Sequence, residues 1–240
     1  KFRSNPQFSF ILNFIAYGDC WYREQLLHGK GLVRTSGNTY SFYLQEVLDD
    51  LKLLQLESRH MVSASEYASK VADQCAELLK EVLLRKNITC GAKINRVIGL
   101  TKAICNNSTD RIILALSHGD LQTGNIYLDN ESRNLYILDW ETAKDRSIWY
   151  DSATLLCSIR RKGKFADMIN GRNSERIRSL VLYFDCDKNR DMDIVASILL
   201  LEELDFFLEE IADFPEDMGY EIIKRYEYEV DNIDFKSFLG

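Results

Sequence analysis

Two spacings of apolar residues divide this chain. Phe8 to Ala16 is a nearly unbroken aromatic and β-branched run. Gly18-Asp19 breaks it and Cys20 to Leu27 resumes it, which predicts two strands about a turn. Gly29, Gly31 and Gly37-Asn38 then mark a loop. From Tyr40 the spacing becomes helical, with Phe42, Val47, Leu48, Leu51 and Leu54 recurring on one face to about Arg59. Ser63 or Ser65 can cap a second helix running to about Arg85, with Tyr67, Val71, Cys75, Leu78, Leu79 and Val82 inward. Gly91 opens a third, to about Cys105. Arg111 to Leu116 is a buried approach to a polar loop, His118 to Asn125. Ile126-Tyr127-Leu128 and Leu135 to Leu138 read as a strand pair, with turn chemistry at Asp129-Asn130 and Ser132. After Trp149 four helices are predicted, over 149–161, 164–184, 191–212 and 216–230. Core packing explains their apolar stripes. The pattern is α+β and mostly helical.

Composition narrows the function classes. At 240 residues the chain can bury a core as one large domain or two small lobes. A net charge of −7 makes the surface as a whole a poor partner for nucleic acid. No apolar run approaches the roughly 18 residues of a membrane span. The six cysteines include no CxxC pair and read as reduced thiols of a cytoplasmic protein. Asn87, Asn107 and Asn130 begin glycosylation sequons that read as chance matches. His28 and His60 have no partner at zinc-ligand spacing. Asp185 to Asp193 imitates a calcium loop, but Arg190 stands where the sharp turn needs glycine and Ala196 where a bidentate glutamate belongs.

The chemistry concentrates between Leu116 and Glu141. The strand pair brings Asp120, Asn125 and Asp139 to one edge. Asp139 and Asn125 offer hard oxygen ligands of the kind Mg²⁺ prefers. Asp120 can accept a proton from a hydroxyl. These are the parts phosphoryl transfer uses.

His118-Gly119-Asp120-Leu121-Gln122-Thr123-Gly124-Asn125-Ile126, followed by Leu135 to Glu141, resembles the catalytic loop and metal-binding segment of the aminoglycoside phosphotransferase and choline kinase family. The interval from Asp139 to Asp151 resembles that family too. The resemblance implies a protein-kinase-like fold: residues 1–35 as a truncated amino-lobe remnant with the hinge, and residues 36–240 as a mostly helical catalytic lobe built on a β-hairpin. It implies ATP and Mg²⁺, with Asp120 as base and Asn125 and Asp139 as metal ligands. Glu141 is a candidate for a second ion. Glu24, Gln25 and Leu26 match the hinge, while Tyr127 and Leu138 flank the expected nucleotide. His118 is implied as structural, packed under Asp139. Asp151 is implied as a structural aspartate that accepts N–H bonds from the loop, or else a helix cap. The short Asp139–Asp151 interval leaves no room for a long activation loop, so the expected acceptor is a small hydroxyl compound: choline-, aminoglycoside- or sugar-like.

The sequence departs from the family in two ways. No G-x-G-x-x-G occurs, and Lys1 has no strand around it. The expectation is a truncated amino lobe or the carboxyl-terminal part of a longer chain. Tyr127 stands where the family often has an aliphatic floor under the base. A second reading is therefore a kinase-like binding module lacking a complete ATP clamp. Gln122 matches the choline kinase form of the loop and receives no role. The acids from Glu202 to Asp217 suit either a cationic acceptor or a solvated helix face.

Overall fold

The computed structural model describes residues 10–11, 14–18, 21–24, 27–32, 38–157, 159–160, 163–170, 174–185 and 189–233. Along the chain these form β1 (Phe14–Gly18), β2 (Trp21–Glu24), β3 (Gly29–Gly31), α1 (Asn38–Ser58), β4 (His60–Ser63), α2 (Ala64–Arg85), α3 (Ala92–Asn106) and β5 (Arg111–Ser117). They continue with β6 (Ile126–Asp129), β7 (Leu135–Ile137), β8 (Lys144–Ser147), α4 (Tyr150–Cys157), α5 (Lys164–Ile169), α6 (Ser174–Phe184), α7 (Met192–Asp213) and α8 (Glu216–Asp231). The chain divides into two compact units, residues 1–59 with 115–145 and residues 60–114 with 146–240.

In the first unit β1 and β2 form the expected antiparallel pair, Gly18 opposite Trp21 and Phe14 opposite Glu24. The central hairpin is β6 against β7, with Ile126 opposite Ile137 and Leu128 opposite Leu135. Both strands are apolar and buried. β3 adds a third strand, Gly29 opposite Asp129 and Gly31 opposite Tyr127. Its two glycines had marked a loop. Gly29 is required by close approach, since a Cβ there would lie 1.8 Å from the Leu128 carbonyl oxygen. A strand without side chains at that point reads as a break in the sequence. α1 buries Val47, Leu51 and Leu54.

Asp129 braces the hairpin turn. Its Oδ2 accepts from the Ser132 main-chain N–H at 2.9 Å and hydroxyl at 2.8 Å, and its Oδ1 accepts from the His28 N–H at 2.9 Å. The Ser132 donors, followed by the His28 N–H, hold this carboxyl below the usual carboxylate range.

In the second unit β4 pairs with β5, His60 opposite Leu114 and Ser63 opposite Arg111. Between the two candidate caps, Ser63 is the one used, its hydroxyl accepting from the Glu66 N–H at 3.4 Å. α2, α3 and α7 pack together. α7 is buried along almost its whole length, its acids Glu202, Glu203 and Asp205 included. Its N-terminus is capped by Asp191, whose side chain accepts from the Asp193 N–H at 2.9 Å.

Several expected boundaries shift. The helix predicted over 164–184 is two, α5 and α6. Asn170 follows α5, and its side-chain amide donates to the Asn232 carbonyl at 2.6 Å. α4 stops at Cys157 rather than 161. The calcium-like stretch is closed by an internal ion pair, with Arg190 Nη2 2.7 Å from Asp185 Oδ2. Among the described residues no helix is long and apolar enough to cross a membrane.

Candidate active site

The hairpin places the polar loop and Asp139 side by side, all within the first unit. The Leu138 N–H donates to the Asn125 carbonyl at 2.8 Å. Asn125, which enters β6, is thereby held against the residue before Asp139. The loop closes on itself through the Asn125 N–H, which donates to the Gln122 carbonyl at 2.9 Å.

His118 is fully buried under this crossing. Its Nδ1 accepts from the Asp120 N–H at 3.2 Å, and its Nε2 lies 2.6 Å from the Leu138 carbonyl oxygen. The first partner is a fixed donor and the second a fixed acceptor, which assigns the neutral Nε2–H tautomer. The Trp140 ring lies 4.8 Å from the imidazole, and the Thr142 hydroxyl donates to the His118 carbonyl at 3.0 Å. Trp140 in turn donates its indole N–H to the Ile137 carbonyl at 2.7 Å. Nothing in the residue pattern pointed to Trp140 and Thr142 as neighbours of His118, because an isolated Trp and Thr in a polar turn carry no periodic signal.

Two backbone positions of the site lie in the left-handed region. Gly119 has φ +88°. Asp139 has φ +65°, which Asp and Asn tolerate better than other side-chain-bearing residues.

Asp120 is half-buried and its carboxylate is held at both oxygens. Gln122 Nε2 donates to Oδ1 at 2.6 Å, and Asn125 Nδ2 donates to Oδ2 at 3.1 Å and to the Asp120 carbonyl at 2.8 Å. With two acceptors facing its nitrogen, the Asn125 amide can sit only one way round. Its Oδ1 is then the atom left to meet a cation. Together with the exposed carboxylate of Asp139 it makes a set of hard oxygen donors, and this set fits Mg²⁺.

The remaining candidates are placed as follows. Tyr127 is half-buried on β6, and its hydroxyl accepts from the Gly29 N–H at 3.1 Å. Leu138 is half-buried beside Asp139, and Glu141 is exposed in the turn that follows. Glu24 ends β2, while Gln25 and Leu26 lie outside the described residues. Asp151 belongs to the second unit and is buried in the first turn of α4. That helix begins at Tyr150, so Asp151 lies just inside it rather than at the cap.

The acids of α7 divide: Glu210 and Asp213 are exposed, and three others are not. Glu202, Glu203 and Asp205 are buried. Glu202 accepts from the Ser147 N–H at 2.5 Å, the Ser147 hydroxyl at 2.7 Å and the Tyr67 hydroxyl at 2.7 Å. Glu203 accepts from the hydroxyls of Tyr150 at 2.8 Å and Tyr226 at 3.0 Å, and Arg160 Nε lies 3.4 Å away. Their polar neighbours are spread over distant segments, so helical spacing within α7 could not reveal them.

No family model matches the chain, and no curated protein sequence matches it. Among solved structures it is similar to an ethanolamine kinase of Plasmodium vivax, with TM-score 0.54 over 92% of this chain and 69% of that one, at 10% sequence identity. At that identity the likeness is one of fold.

Proposed function

We propose that this chain is an ATP-dependent phosphotransferase that moves the γ-phosphoryl group to a hydroxyl of a small molecule. The observation that supports this reading is the position of Asn125. Its side-chain amide lies on Asp120 and its main-chain carbonyl on the N–H of Leu138, next to Asp139. The Asp120 carboxylate and the Asn125 amide are thus bonded to each other, and Asp139 directly follows the residue that holds the Asn125 main chain. A fold shared with an ethanolamine kinase suits the same chemistry.

In this reading Asp120 accepts the proton of the acceptor hydroxyl as its oxygen forms a bond to the γ-phosphorus. The bond from that phosphorus to the β–γ bridging oxygen breaks, and ADP leaves with the electron pair. The transition state is loose, so orienting the hydroxyl matters more than base strength. Asn125 Oδ1 and Asp139 would hold Mg²⁺, and Glu141 would take a second ion. Bound there, the metal would supply positive charge against that developing on the phosphate oxygens. Glu24, Gln25 and Leu26 offer backbone groups to adenine, and Tyr127 and Leu138 flank the nucleotide. His118 keeps the loop and strand together. Asp151 has a structural role. The acceptor is choline-, aminoglycoside- or sugar-like.

The test is initial rate against Mg²⁺ and ATP, with an amino alcohol, an aminoglycoside and a sugar as acceptors. Asp120→Asn should lower turnover by ~10²–10⁴-fold, the usual contribution of a general base, with nucleotide affinity kept and no rescue by extra Mg²⁺. Asp139→Asn should weaken Mg²⁺ and nucleotide binding together, with partial rescue by extra Mg²⁺. ATP binding without turnover on any acceptor class would instead identify a kinase-like binding module.

A further inference from the structure

Gln122 sits at the mouth of the loop with its side chain exposed to solvent. An exposed glutamine ordinarily samples many rotamers, and holding it in one costs side-chain entropy. Here its amide nitrogen lies 2.6 Å from Asp120 Oδ1, a short contact to a charged acceptor. Bonds of that kind are about twice as strong as neutral ones and can offset the entropy. Asn125 holds the other oxygen from the opposite end of the loop, at 3.1 Å. A carboxylate with one donor can still swing about its terminal torsion, which has broad wells. One with a separate donor on each oxygen cannot swing without breaking a bond.

We infer that Gln122 is a positioning residue for Asp120, setting the plane of its carboxylate toward the acceptor hydroxyl. The inference rests on Asp120 being the base. The two donors are not equivalent. Asn125 is built into the hairpin through its own main-chain bonds to Gln122 and Leu138, and in the proposed mechanism its Oδ1 would also hold the metal. Gln122 has no such second task, so its side chain can be changed with little effect on the fold or the metal set. Its neutrality matters as well. A carboxylate in its place would repel Asp120, whereas an ammonium of similar reach would still donate.

The experiment compares Gln122→Leu, Gln122→Glu and Gln122→Lys with wild type, alone and combined with Asp120→Asn. Gln122→Leu and Gln122→Glu should lower kcat by roughly 10- to 100-fold, the usual effect of losing a hydrogen bond to a charged group. KM for ATP and the Mg²⁺ dependence should not change. Gln122→Lys should recover most of the loss. In the Asp120→Asn background Gln122→Leu should have little further effect, because residues that act through one another are not additive. Equal losses with and without the Asp120 carboxylate would overturn the inference. So would a wild-type kcat for Gln122→Leu.

A second readout needs no turnover. The side-chain amide of Gln122 is followed by nitrogen-15 NMR at neutral pH, assigned by its loss in Gln122→Leu. One amide proton should be shifted by its charged acceptor and the side chain ordered, and Asp120→Leu should abolish both signs. A Gln122 amide that is mobile and unchanged by Asp120→Leu overturns the positioning role even if wild type proves inactive. Inactive wild type with an ordered amide that Asp120→Leu releases would remove the phosphotransferase reading and leave the Gln122–Asp120 link standing.

Discussion

The imidazole of His118 reaches 2.6 Å to the main-chain oxygen of Leu138, 20 positions further along the chain. This bond ties the residue two before Asp120 to the residue one before Asp139. Loop and strand are therefore registered through a buried ring rather than through their own functional side chains. The second ring nitrogen accepts from the Asp120 N–H at 3.2 Å, so one neutral ring aligns both ends.

His118→Phe keeps a ring of similar size and removes both bonds. It should destabilise the protein by about 1–3 kcal/mol, the cost of leaving a buried polar group unsatisfied. The urea midpoint should fall without a change in slope. A midpoint within error of wild type would show that the ring is packing only.

Asp139 carries a backbone requirement separate from its carboxylate. With φ at +65°, Asn should be accommodated and Ala should be strained by about 1–2 kcal/mol. Gly should relieve the strain altogether. Thermal unfolding of Asp139→Asn, Asp139→Ala and Asp139→Gly should place the Ala variant lowest. If Ala equals Gly, the left-handed geometry is not stressed in solution.

Asp50 gives a pH dependence with a defined sign. It lines a pocket of about 270 Å³ in the first unit with Glu46, Asp49, Phe10, Arg133, Asn134 and Leu135. Burial, then the charges of Glu46 and Asp49, push its carboxyl from 3.8 up to about 6. The folded state therefore holds the proton more tightly than the unfolded chain. The contribution is full below about pH 3.8 and is lost as pH rises through about 6. Asp50→Asn should flatten stability between pH 4.5 and 7, window edges that bracket roughly this titration. At neutral pH it should stabilise by about 1 kcal/mol after discounting for solvent screening. Urea midpoints at the two pH values check this, and an equal slope in both proteins would refute it.

Glu203 anchors a buried hydroxyl pair. Burial, then the Glu203 charge, push the Tyr150 and Tyr226 hydroxyls well above their usual range. Both should stay protonated donors until the chain unfolds in alkali. An absorbance titration of Tyr150→Phe and Tyr226→Phe should then match wild type below the unfolding pH. Glu203→Leu strands two hydroxyls and a partly buried Arg160, and should cost about 3–5 kcal/mol. A loss under about 1 kcal/mol would show that the three donors find other partners.

The residue pattern alone determined the local elements and the order of the chemical groups. Helical spacing located α1, α2, α3, α7 and α8 to within a few residues, since each buries a continuous stripe. Alternation and turn residues located β6 and β7, and residue identity singled out Asp120, Asn125 and Asp139. Tertiary structure decided what touches what. β3 was invisible because its two glycines signal a loop, and only the closeness of Leu128 explains Gly29. The buried acids of α7 were read as candidates for water or a cation, because their hydrogen-bond donors lie 23 to 135 residues away along the chain. Gln122 carried no signal, since a polar residue in a polar loop looks the same whether it is solvated or bonded to Asp120. Local sequence encodes periodicity and turn chemistry over a few residues, whereas a hydrogen bond between distant segments exists only once the chain has closed on itself.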